Sequence, residues 1–310
     1  MASITLAQAK ELSENKLLSG VIENIVTVDK FYDILPFMGI SGNALAYNRE
    51  LALGDVQTLG VGGTITAKNA ATSIKVTTEL TTIIGDAEVN NLVQSTLSGW
   101  TDQTQNQIFS KVKSIGRKYA DLLINGDKDG DATEFDGLLN LLPAGQTVNA
   151  GDNGGALSFA LLDEMLSNVK DKDGQVDYIV MNTREILALG NLYRALGGAG
   201  IMETMNLPGA GRQVPAYRGV PIFRNDNMPI NQTKGNATNA STILCGTLDD
   251  GSNKVGISGL TAENNYGISM SYIGESETKD EAIYRVRFYS GLALFSNYGI
   301  AGISGIIPAA

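Results

Sequence analysis

Five apolar positions, Ile108, Val112, Ile115, Tyr119 and Leu122, recur at steps of four, three, four and three. That spacing follows the period of an α-helix and places all five side chains on one face. Asp102 with Gln105 three residues on supplies a start, and Asn125-Gly126 a stop. The pattern predicts a helix of about 35 Å at 1.5 Å rise per residue. Just upstream, Asp86 is placed to cap a shorter helix through about Leu97, broken at Ser98-Gly-Trp100.

The stretch before it carries a different period. Thr64–Lys68 and Ser73–Thr78 alternate imperfectly and are rich in β-branched residues, which predicts a long hairpin over 48–84 with its tip at Lys68–Thr72. A two-stranded ribbon so polar on both faces is barely stable alone, so its natural support is a neighbouring chain. Residues 1–47 read as an arm. Thr5 and Gln8 open a short helix through about Lys16, and Val21–Val26 and Phe31–Met38 follow as apolar runs with little core of their own.

From about residue 150 the pattern becomes a mixed α/β layer. Ser158 caps a helix carrying Leu162, Met165, Leu166 and Val169; Val176–Met181 is a strand; Asn182 opens a helix through about Tyr193. Residues 197–213 form a Gly-rich loop, and Val214–Phe223 a hairpin around Arg218-Gly219. Strands are expected near 242–246, 254–258, 266–273 and 282–289. The apolar C-terminal stretches Leu292–Phe295 and Ile300–Ile303 should return to the first body.

Composition narrows the function. The chain has 310 residues, 43% hydrophobic, enough for one large core or two modest ones, with only 6% aromatic and 18% charged residues and 36 glycines. The formal net charge of −10 argues against nucleic-acid binding by bulk field, because phosphate affinity rests on Lys and Arg. It is compatible with a container wall from which packed DNA slides free. One cysteine, Cys245, excludes a disulfide framework and reads as a buried strand residue. No signal-peptide pattern or membrane-length apolar run is visible.

Histidine is absent. The commonest general base, the commonest metal ligand and every Ser-His or Cys-His pair are therefore missing. No catalytic, cofactor-binding or metal residues are assigned, and the chain is read as a non-enzyme. Asp127-Lys-Asp-Gly-Asp131 has the alternating carboxylates of a calcium loop, but an EF-hand needs Gly and Glu where Ala132 and Leu138 stand. It reads as a solvated acidic turn, and Asp171–Gly174 as a shorter one. Gly60–Gly63 and Gly197–Gly200 match no phosphate-binding spacing. Lys111, Lys113, Arg117 and Lys118 lie between the stripe positions of the long helix, as its wet face or as a surface toward packaged DNA or an acidic scaffold.

Several stretches, taken in order, resemble the major capsid protein family of tailed bacteriophages, with the Hong Kong 97-type fold. They are Leu35-Pro-Phe37 with Tyr47-Asn-Arg-Glu50, Leu123-Ile-Asn-Gly-Asp127 with Glu134-Phe-Asp-Gly-Leu138, Val180-Met-Asn182 with Arg184, and Arg287–Leu294. The resemblance implies an α+β chain with an N-terminal arm (1–47), an extended β-hairpin loop (48–84), a peripheral domain with a long spine helix (85–150 and 289–310), and an axial domain (151–288). It implies a structural subunit that self-assembles through pentamers and hexamers into an icosahedral or prolate shell around double-stranded DNA, without sequence-specific binding. Such a head is assembled in the bacterial cytoplasm and ends up as the virion.

Expected partners are a separate scaffolding protein, since Met1 leads almost directly into the arm, a portal protein and a decoration protein. Arg49, Lys68, Lys75 and Glu79 are expected at inter-subunit contacts. Some relatives crosslink a loop lysine to a neighbour's asparagine; Lys68 and Lys75 lie in that loop, but no asparagine or assisting acid can be matched. An encapsulin-type compartment shares the fold and is the alternative. A surface-layer or adhesive protein lacks its export signal, and an enzyme would need two close buried acids.

Overall fold

The computed structural model describes residues 31, 34–97, 103–171, 174–196, 203–206 and 213–308. The expected arm helix, Val21–Val26, Asp102, the break at 98–100 and the Gly197–Gly200 stretch lie outside the described residues. The first half runs β1 (Phe37–Ile40), β2 (Ala44–Ala52), β3 (Thr72–Glu79), β4 (Thr81–Asn90), α1 (Asn91–Leu97) and α2 (Gln103–Asn125). Then come β5 (Thr147–Asn149), β6 (Gly155–Ala156), α3 (Phe159–Lys170), β7 (Tyr178–Met181) and α4 (Thr183–Ala195). The remainder is strand: β8 (Glu203–Asn206), β9 (Gln213–Tyr217), β10 (Val220–Arg224), β11 (Gln232–Lys234) and β12 (Ala237–Gly246). It closes with β13 (Ile257–Ala262), β14 (Ile268–Glu275), β15 (Glu281–Leu294) and β16 (Ile300–Ile307).

The described strands sort into a five-stranded sheet, a nine-stranded sheet and the separate pair β2–β3. β15 organises the first sheet. Its early residues pair with β4 on one side and β14 on the other, and its last five with β13, which carries β1 in parallel. α2 lies across this sheet on the predicted stripe: Ile108, Val112, Ile115, Tyr119 and Leu122 are all buried. Tyr119 meets Phe288 edge-on, with ring centroids 5.1 Å apart.

The nine-stranded sheet has the order β5-β16-β12-β7-β10-β9-β8, with β11 on β12 and β6 on β16. Its middle is buried on both faces, as strands paired in parallel tend to be. Tyr178 and Val180 of β7 face the core shared with α2, whereas Ile179 and Met181 face a second core under α3. Cys245 lies in that second core, where burial pushes its thiol up to about 12.

Two expectations change here. Residues 81–90 form a strand, because Ile83, Ala87 and Val89 turn inward together onto the β15 ladder, and Asp86 pairs with Arg285 in place of capping a helix. The bodies also divide differently from the expected 85–150 with 289–310 and 151–288. β13, β14 and the start of β15 join the first sheet, whereas β16 joins the second between β5 and β12. The apolar C-terminus therefore splits: Leu292 and Leu294 pack in the first core, Ala301 and Ile303 in the second.

The paired stretches Leu123–Asp127 and Glu134–Leu138 have a common physical basis. The exposed end of a helix leaves carbonyls unsatisfied. Here Leu138 N donates to Leu123 O at 2.8 Å, Leu139 N to Ile124 O at 3.1 Å, and Gly137 N to Gly126 O at 2.8 Å. Backbone meets backbone so closely that a Cβ on Gly126 would lie 2.2 Å from Phe135 O, and one on Gly137 2.7 Å from Ile124 O. Two glycines eleven residues apart let one loop cap the long helix.

Gly126→Ala and Gly137→Ala should each destabilise the subunit by about 1–3 kcal/mol through overpacking. Gly145→Ala, which meets nothing within 4 Å, should be neutral; urea unfolding of the three variants checks this. The Arg285 guanidinium also holds the Asp86 carboxyl below its ordinary value. A lowered folded value means the pair contributes fully above the unfolded value of about 3.9 and fades as pH falls through the folded one. Asp86→Asn should thus lower the unfolding midpoint at pH 6, and the difference should vanish toward pH 2.

Candidate functional site

β2 alternates between body and water: Leu45, Tyr47 and Arg49 turn inward, and Ala46, Asn48 and Glu50 outward. The inward three meet the turn after β15. Tyr47 OH donates to Leu294 O at 2.6 Å, and its ring packs edge-on against Phe295 at 5.3 Å. Arg49 Nε donates to Phe295 O at 3.0 Å, Nη1 to Asn297 Oδ1 at 2.5 Å, and Nη2 to Leu294 O. The rigid guanidinium fork fixes both position and direction of the strand. On the companion strand Glu79 accepts from Lys128 Nζ at 3.0 Å, and Leu80 N donates to Asn43 O at 2.9 Å. Leu45, Tyr47 and Leu80 pack on a small core of Ile40, Leu260, Ala293 and Phe295. The root of the ribbon is held.

Beyond the root this changes. Residues 44–50 pair in register with 73–79, then Leu51 bulges out and only Ala52–Thr72 follows. A bulge bends its strand and raises the local twist. Residues 53–71 carry no ladder at all, and nearly every side chain is exposed. Among them are Leu53 (77% exposed), Val56 (95%), Val61 (112%) and Ile65 (60%), which follow Leu51 (68%) at the bulge. The ribbon turns at Gly60–Gly63, where Gly63 N donates to Gly60 O at 3.0 Å and Gly62 takes a φ of +85°. Val61 stands at the apex. The tip is thus eight or so residues earlier than the Lys68–Thr72 turn the alternation suggests, because Thr64–Lys68 pairs with no strand. Exposed apolar side chains thus recur along the outer ribbon from Leu51 to Ile65.

A polar cleft of about 360 Å³ lies where β3 bends into β4, walled by Thr78, Glu79 and Thr82 on one side and Lys128, Thr133 and Glu134 on the other. The acidic turn is that second wall and is tied to itself. Asp131 Oδ1 accepts from Thr133 N and Oγ1, which hold its carboxyl below the ordinary range, and Asn140 Nδ2 donates to Asp136 Oδ1 at 2.6 Å. Among the described residues no cluster of acids and cysteine is disposed to hold a metal.

The four expected contact residues separate into two pairs. Arg49 and Glu79 bond their own chain at the root, and Lys68 and Lys75 project from the ribbon into solvent. On α2, Lys118 pairs with Glu134 at 2.9 Å, which raises its ammonium above the usual value, and Lys111 lies near Asp86. Lys113 and Arg117, one helical turn apart, share an exposed face. In the second body, Asn182 caps α4 by accepting from Arg184 N and donates to Met228 O. Arg184 ties the helix to Ile230 O, Asn239 O and Ile306 O, while buried Glu185 accepts from Arg184 and Ser241. The Tyr47–Phe295 contact had no signal in the sequence pattern beyond the Tyr47-Asn-Arg-Glu50 stretch itself.

Residues 79–304 match the family model described as the type 2A encapsulin shell protein SrpI-like. No curated protein sequence matches the chain. The fold is similar to that of the holo-SrpI encapsulin complex from Synechococcus elongatus PCC 7942, with a TM-score of 0.69 and 20% identity over 91% of this chain and 88% of that one. It is similar to the Cyanophage A-1(L) capsid (TM-score 0.66, 13% identity, 89% and 92% covered). The capsid of the native GTA particle follows, with a TM-score of 0.62 and 13% identity over 89% and 90%.

Arg49→Ala removes the fork that fixes the root. It should lower subunit stability by about 1–3 kcal/mol and open 44–52 to proteolysis, read as faster cleavage there with the remaining fragments unchanged.

Proposed function

We infer that this chain, which belongs to the SrpI-like family of type 2A encapsulin shell proteins and has the Hong Kong 97-type capsid fold, is a structural subunit whose ribbon lies on the next copy to close a shell. One observation carries this: a ribbon fixed firmly at its root and apolar over its outer part, which none of the described residues of its own body covers. Eleven residues from Leu51 to Val61 reach up to about 35 Å, the scale of a neighbouring body. Burying each exposed Leu, Val or Ile contributes about 1.5–3 kcal/mol before ordering is subtracted.

In this reading Arg49 and Glu79 serve the contact by aiming the ribbon, and Lys68 and Lys75 meet acidic groups of the next copy. The sheet containing β15 with α2 is the peripheral body, and the nine-stranded sheet is the axial one that meets its copies around the symmetry centres.

The contents of the shell have two readings. The family match and the likeness to the SrpI complex support a compartment around protein cargo. The co-linear stretches that resemble tailed-phage major capsid proteins, with the likeness to phage capsids, support a head around double-stranded DNA, built with a scaffolding protein, a portal and a decoration protein. There Lys113 and Arg117 are the cations of α2 available to DNA or an acidic scaffold.

Deleting 54–70 and joining the arms with a short turn spares every paired residue of β2 and β3. The variant should remain folded by circular dichroism and form no shells by negative-stain microscopy; shells at normal yield exclude the ribbon as the closing contact. In shells from the native source, nuclease-protected double-stranded DNA marks a phage head, and a co-purifying enzyme in fixed ratio marks a cargo compartment.

A further inference from the structure

We propose that Gln57 gives the outer ribbon its docking shape, its side chain standing in for a strand that the chain does not form. Residues 53–71 have no β-ladder, yet their two arms stay together. Gln57 Nε2 donates to Thr64 O at 2.9 Å. Its Oε1 accepts from Thr66 N at 2.9 Å, from Thr66 Oγ1 at 2.6 Å and from Ala67 N at 2.8 Å. One amide therefore makes four bonds across the ribbon. A second tie lies nearer the root: Asp55 N donates to Asn69 O at 3.1 Å, and Asn69 Nδ2 donates to Asp55 Oδ2. The Gly60–Gly63 turn closes the end.

The chemistry requires an amide. Thr64 O needs a donor and the Thr66 and Ala67 groups need an acceptor, and only a side chain carrying both serves the two sides at once. Each bond is exposed to water and contributes little alone, so the effect is on shape more than on folding stability. Val56 lies beside Gln57, Val61 stands at the apex of the closing turn and Ile65 follows it, so the tie spaces the side chains offered to a second copy of this chain. A loop that must be ordered on docking loses affinity by that ordering, and a loop already tied does not. The inference rests on the shell reading and deepens it.

The test uses the full chain with Gln57→Ala and Gln57→Glu. In the unassembled Gln57→Ala subunit, hydrogen exchange at Thr66 and Ala67 should become fast while the unfolding midpoint stays at the wild-type value, since the ribbon lies off every core. The threshold concentration for shell formation, followed by light scattering, should rise roughly tenfold, equivalent to about 1.4 kcal/mol per subunit. Gln57→Glu keeps the acceptor and loses the donor, and should fall between. Unchanged exchange at Thr66 and Ala67 in Gln57→Ala overturns the proposal, as does fast exchange with an unchanged threshold. Should the 54–70 deletion abolish shells while Gln57→Ala leaves the threshold alone, only the role of Gln57 falls. Should the deletion itself form shells, the ribbon reading falls with it.

Discussion

A two-stranded ribbon that leaves its body cannot bury its outer faces within its own chain. The molecule accommodates this constraint in two zones. Up to Glu50 the ribbon borrows the body: its inward face rests on the core of Ile40, Leu260 and Phe295, and Arg49 closes three polar bonds to Leu294, Phe295 and Asn297. Past the Leu51 bulge no described residue of the body supports it, and Leu53, Val56 and Val61 are exposed. The boundary between the zones is abrupt, falling where the ladder loses register.

The body is built to resist the load that such a ribbon transmits. β15 joins the root of the ribbon to the body, because its partner β4 continues directly from β3 and its C-terminal end leads into the Leu294–Asn297 turn that Arg49 grips. α2 lies behind it with a fully buried stripe and a capped end. A force on the ribbon therefore reaches the first sheet through the β4–β15 ladder and through the Leu294–Asn297 turn. The outer ribbon is tied within itself, and the bulge is the natural place for its direction to change between one neighbour and another. A closed shell places copies in similar but unequal surroundings, and a fixed root with a bendable outer ribbon suits that demand.

Legibility followed periodicity. The α2 stripe, the caps at Ser158 and Asn182 and the Arg218-Gly219 hairpin depend on local spacing or on a single turn, and all of them appear in the structure as read. Residues 81–90 misled because Asp86 before Val89 and Leu92 resembles a cap, whereas the long-range ladder to β15 decides the conformation. The sorting of β13 to β16 between two sheets was equally hidden, since both sheets want apolar β-branched strands and nothing local says which one a strand joins. In the ribbon, the outer arms looked like paired strands because their residues favour extended backbone; what holds them is largely the side chains of Gln57 and Asn69, and side-chain ties have no period.

The distribution of charge pairs indicates what they contribute to assembly. Glu79–Lys128, Lys118–Glu134 and Asp86–Arg285 are all partly exposed, and pairs in that setting contribute little to folding. Their positions are more informative than their strength: one spans the cleft at the root of the ribbon, one fixes the acidic turn to α2, and one locks β4 to β15. Each sets a register between elements that apolar packing alone would leave free to slide. The outer part of the ribbon is apolar and nearly uncharged, so in the proposed shell the strength of the contact and its aim would reside in different residues. A shell of many similar but unequal contacts needs that separation, because each contact must be weak enough to rearrange during closure and still be directed well enough to close.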